Sequence, residues 1–99
     1  MKTRFEWDPA KAAANLRKHG LSFETATRVF ADPFALFLDD RIVDGERRWQ
    51  AIGRAEGYPI LLVAHTVVDQ DEIEVIRIIS ARKANPKERR RYEEARSSI

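Results

Sequence analysis

Two runs in the second half of the chain, Pro59 to Val68 and Ile73 to Ser80, are apolar on both alternating faces. Leu61 and Val63 fall on one side of the first and Leu62 and Ala64 on the other; Val75 and Ile79 oppose Ile76 and Ile78 in the second. A strand with one wet face alternates apolar with polar residues, so these two runs predict central strands of a sheet covered on both sides. Ala35 to Leu38 and Arg47 to Gly53 read as further strands, divided by segments rich in Asp, Gly and Glu, which gives a sheet of about four strands.

The covering elements are legible as helices. Asp8 followed by Pro9 is a helix start, because the carboxylate accepts orphan backbone N–H groups and proline suits the first helical position. Gly20, after Lys18 and His19, is the stop. Ser22 caps a second helix with Phe23, Ala26, Val29 and Phe30 on its apolar face, ended by Asp32 and Pro33. Asn85, Pro86, Lys87 and Glu88 form an N-terminal capping box for a last, basic helix. Two N-terminal helices, then strands, then a C-terminal basic helix make an α+β architecture, read as one domain over residues 1–99.

Several function classes fall away on composition. The 99 residues include no cysteine, so thiolate nucleophiles, thiolate metal sites and disulfides are excluded. The apolar run Ile60 to Ala64 is far shorter than the roughly 20 residues of a membrane span, which places the chain in the cytoplasm on this reading. No Gly-rich phosphate loop or GxSxG elbow occurs, and the acidic stretch at 69–72 lacks the glycine and spacing of a calcium loop. No metal site or cofactor is expected. What remains is basic chemistry: residues 82 to 96 hold seven basic and three acidic side chains, the pattern of a nucleic-acid or acidic-protein contact or of a solvated helix face.

Arg77 stands among β-branched residues inside IEVIRIIS, where a guanidinium needs either a carboxylate such as Glu46 or Glu74 or a polar cleft. His65 lies in the neighbouring run. In a hairpin across residues 69–72, an even register sum puts His65 on the face of Val75 and Arg77, an odd sum on the face of Ile76 and Ile78, and both faces are apolar. Arg82 and Lys83 follow the strand and could join Arg77 around a phosphate. Lys18 and His19 are accounted for as helix-ending cations, and Trp7 and Trp49 as core anchors, with base stacking on Trp7 the alternative.

The pieces FEWDPAK, NLRKHGLSFE, ERRW followed by IG, and IRIISARKA, in that order and spacing over about residues 4 to 96, resemble the BrnT toxins of bacterial type II toxin–antitoxin pairs. The resemblance implies a RelE-like fold with a compact antiparallel sheet, metal-independent RNA cleavage, and a hetero-oligomer with a BrnA-type ribbon-helix-helix antitoxin through which operator DNA is reached. On that footing the RNA 2′-hydroxyl attacks the adjacent phosphate, with His65 as proton carrier and Arg77 and Arg82 stabilising the charge. Trp7, Lys18, His19, Lys83, Arg89 and Arg90 would hold the RNA. The alternative is a basic α+β module that binds nucleic acid or a protein without cleaving.

Overall fold

The computed structural model describes residues 2–98. A five-stranded mixed sheet runs in the order β1-β5-β4-β3-β2, with β1 Lys2–Glu6, β2 Leu36–Val43, β3 Glu46–Gly53, β4 Leu61–Gln70 and β5 Ile73–Lys83. Helices α1 (Pro9–His19) and α2 (Phe23–Thr27), the latter tightening into a 3-10 turn at Arg28–Ala31, precede β2; α3 (Pro86–Ser97) closes the chain. The central antiparallel strands and the capping signals match the sequence reading. Asp8 accepts from the backbone N–H of Ala10, Gly20 takes φ of 70°, and the Asn85–Glu88 box is closed in both directions.

Two expectations are corrected. A strand, not a helix, opens the described chain, and β1 lies parallel to β5, so the sheet is mixed rather than wholly antiparallel. Only Phe5 of KTRFE is even half-buried, which left no apolar alternation to read. Likewise Asp39 and Asp40, which follow the strand read as ending at Leu38, belong to β2; a register irregularity between Asp39 and Ile42 absorbs them, and the chain turns at Asp44 and Gly45, both with positive φ.

Both faces of the sheet are packed, by different layers. On one, Ala51, Leu61, Val63, Ile78 and Ala81 meet Leu21, Phe23, Ala26 and Val29 of the α2 segment. On the other, Ile52 and Leu62 meet Tyr92 of α3. Asp32 ties the layers together: Oδ2 accepts from the Tyr92 hydroxyl at 2.6 Å and the Arg54 N–H at 2.8 Å, while Oδ1 accepts from the Phe34 N–H at 2.9 Å. Gly53 beside it is obligatory by space, since a Cβ there would sit 2.9 Å from Val29 Cγ1.

Strand β1 stops at Glu6, but β5 continues to Lys83, so the outer edge of β5 would be bare from Ile78 onward. Asn15 of α1 fills the gap. Its Nδ2 donates to the carbonyls of Ala81 and Leu21, each at 3.0 Å, and its Oδ1 accepts from the Ala81 N–H at 3.1 Å. One side-chain amide thus serves Ala81 as a neighbouring strand would, from the buried side of a helix whose other positions are half-buried or exposed.

Candidate functional site

The β4–β5 hairpin resolves the register question in a way that neither single sum describes. Leu61↔Lys83 through Ala64↔Ser80 hold one register; from His65↔Ile78 the pairing slips by one, with Ile79 as the extra residue of a bulge. Because of that slip, His65 shares the α2 face with Ile76 and Ile78, while Arg77 points to the α3 face opposite Thr66 and Glu6. His65 and Arg77, expected to act on one phosphate, are therefore separated by the sheet.

Arg77 lies beyond the part of its face that α3 covers. It is exposed and, among the described residues, forms no ion pair; Glu74 is on the other face and Glu46 lies in β3. A guanidinium left in water carries no desolvation cost, which removes the need for the expected carboxylate partner. Trp49 shares a face with His65, so by alternation Arg48 and Thr66 share the Arg77 face. Arg4, paired in register with Val75, stands on it as well. Sequence reasoning passed over Arg4, Glu6 and Arg48. The signal for Arg48 was the alternation beside Trp49, whereas the contribution of β1 depended on a pairing that composition does not reveal. Arg48 Nε is buried without a hydrogen-bond partner among the described residues. Glu6, Trp7, Asp8 and Arg77 line one cleft, and Lys11, Lys18, His19 and Ser80 line another along α1 and β5. Trp7 is half-buried, its ring edge-on to Phe23 at 5.9 Å, and so is both a core contact and a wall of the Arg77 cleft.

His65 is 1% exposed. Its Nδ1 lies 3.1 Å from the Val63 carbonyl, so it carries the proton, and Phe30 meets the ring edge-on at 4.8 Å. Burial pushes the imidazole below its usual pKa, only partly opposed by that hydrogen bond, so the ring is neutral at neutral pH.

Arg82 also departs from the expected cluster. Five residues of strand, roughly 16 Å at 3.3 Å per residue, separate it from Arg77. Its guanidinium is held by Glu88 of α3 in a two-pronged contact at 2.8 and 3.0 Å. The hydrogen bond from Arg82, more than the opposing burial, holds the Glu88 carboxyl below its ordinary 4.5. A lowered folded value means stability that is present above 4.5 and lost as pH falls through the folded value. Glu88→Gln is expected to cost about 1 kcal/mol at pH 7, reduced by the partial exposure of Arg82, and to converge with wild type in acid; urea melts at both pH values measure it. Lys83, Arg89 and Arg90 are exposed at the end of β5 and on α3. Among the described residues no three His, Asp or Glu side chains come together as a metal-holding group, and no helix is long and apolar enough to cross a membrane.

Comparison with known proteins follows the same lines. The family model described as ribonuclease toxin, BrnT, of type II toxin–antitoxin systems matches residues 7–88. The 1.1 Å crystal structure of the Brucella abortus ribonuclease toxin BrnT is similar, with a TM-score of 0.62 and 28% identity over 86% of this chain and 99% of that one. Comparison with curated proteins gave no match.

Proposed function

The chain belongs to the BrnT family of ribonuclease toxins of type II toxin–antitoxin systems, and from that premise we propose that it cleaves RNA without a metal ion, on the sheet face centred on Arg77. Membership brings an RNA substrate and an antitoxin partner; a BrnA-type ribbon-helix-helix antitoxin, a RelE-like fold and a cytoplasmic setting are parts of the same proposal.

The observation that carries it is an exposed arginine in mid-strand, without an ion pair among the described residues, in a cleft with a carboxylate and a tryptophan. Arg77 binds the non-bridging oxygens of the scissile phosphate and stabilises the charge that builds as the 2′-hydroxyl attacks. Glu6, its cross-strand neighbour, takes the hydroxyl proton in place of the sealed His65. Asp8 is already committed to capping α1. The bond from phosphorus to the 5′-oxygen breaks, solvent protonates the leaving oxygen, and the products are a 2′,3′-cyclic phosphate and a 5′-hydroxyl. Trp7 stacks a base, and Arg4, Arg48, Lys18 and His19 hold the flanking backbone, with Lys83, Arg89 and Arg90 as outlying contacts.

The test is incubation of purified chain with messenger RNA in excess chelator. Cleavage is expected to continue, yielding cyclic-phosphate ends. Cleavage abolished by chelator and restored by added magnesium would overturn the metal-free scheme, and binding without any new ends would favour the non-cleaving module.

A further inference from the structure

The cleavage scheme leaves the opposite face unused, and that face is not closed. A groove of about 540 Å³ opens between the sheet and the end of the α2 segment, with His65, Trp49 and Ile76 on its floor and Phe30 and Phe37 on its wall. Phe37 is 49% exposed and Val67, which lines the same groove, 37%. An aromatic recess left open to water marks a contact site rather than a finished core.

The charge at one end of the groove says what kind of contact. Glu74 lines it, and Asp69 stands directly opposite Glu74 in the β4–β5 register, on the same face. Like charges opposite one another destabilise a sheet. Among the described residues the ion pairs are Arg47–Asp39 and Arg82–Glu88, so neither carboxylate is neutralised within the chain. The hairpin turn beyond them, Asp71 and Glu72, adds two more acids, both held at positive φ. Lys2 lines a recess with Asp71 and Glu72 but is outnumbered by the four acids, so this end disfavours an RNA backbone and draws a cationic side chain.

We propose that this groove is a docking site for a segment of a partner protein that lays a large apolar side chain on the exposed face of Phe37, over the buried His65, and sets a lysine or arginine against Asp69 and Glu74. Membership in a toxin family supplies a protein partner, and the acidic end favours protein over nucleic acid as the occupant. The groove lies on the far side of the sheet from Arg77, so the inference stands apart from the cleavage scheme and fails or holds on its own test.

The two tryptophans make the test readable, because Trp49 lines the groove and Trp7 lines the Arg77 cleft. Indole N–H resonances of the full chain are followed by NMR against three probes: a 12-residue peptide with leucine and phenylalanine four apart and flanked by lysines, its twin with glutamates for lysines, and a 2′-O-methyl octanucleotide. The lysine peptide is expected to move Trp49 and leave Trp7 in place, with the glutamate twin at least about tenfold weaker, a difference of 1.4 kcal/mol. The double variant Asp69→Asn, Glu74→Gln should bring the two peptides level. Equal binding of both peptides to the unaltered chain, no movement of Trp49 by the lysine peptide, or movement of Trp49 by the oligonucleotide would each overturn the proposal.

Discussion

Replacing Asn15 by leucine is expected to lower the free energy of unfolding by about 4 kcal/mol, although the side chain that enters is of similar size and far more apolar. The loss comes from what Asn15 leaves behind. Its amide satisfies the Ala81 N–H, the Ala81 carbonyl and the Leu21 carbonyl, all beneath α1. A buried backbone group stripped of its partner costs roughly 1–3 kcal/mol, so three of them outweigh the gain from burying a leucine. Against a total stability of about 5–15 kcal/mol the variant is marginal or unfolded at 37 °C. Asn15→Asp keeps the acceptor for the Ala81 N–H but turns carboxylate oxygen toward two carbonyls, and should recover only part of the loss. Urea denaturation of the three proteins measures the series; a leucine variant within about 1 kcal/mol of wild type would show that the β5 edge finds other partners.

Arg77→Ala is expected to reduce RNA cleavage by about 10²- to 10³-fold, the usual loss when one preorganised charge-stabilising donor is removed, while leaving stability within about 0.5 kcal/mol. The two expectations belong together. Arg77 is exposed and, among the described residues, makes no ion pair, so nothing in the fold leans on it. Arg82→Ala should behave the other way, lowering stability through the loss of Glu88 and changing cleavage less. Growth after induced expression, with primer extension on messenger RNA, reads cleavage; thermal melts read the fold. An Arg77→Ala chain that still arrests growth and makes new RNA ends would remove Arg77 from the reaction. Arg77→Lys, which keeps the charge but loses the planar fork, should fall between.

The central strands, the α1 stop at Gly20 and the α3 capping box were legible because each rests on local chemistry: alternation, a left-handed glycine, a reciprocal cap. The first strand was hidden because its stability lies in an edge pairing with β5 rather than in its own side chains, four of which face water. The site was legible in residue type but not in arrangement. Arg77 was marked out by its place in an apolar run, yet whether His65 joined it depended on a single bulge, and Ile79 gives no sign in the sequence that it is the extra residue. Arg82 drew attention as a basic residue at a strand end; that Glu88, in the first turn of α3, would claim it follows only once the β5–α3 corner is built.

The parallel pairing of β1 with β5 also sets an order of events in time. Lys2 meets Ile73 and Glu6 meets Arg77, each pair 71 positions apart in a chain of 99. Such distant partners close late, because the loop between them must be ordered before the contact repays it. A nascent chain holds Glu6 and Trp7 long before Arg77 is made, and cannot set Arg77 beside them until β5 has been synthesised and has left the ribosome. The cleft therefore comes into being as a late event of folding, and nascent segments that stop short of β5 carry its acid and its indole without its guanidinium.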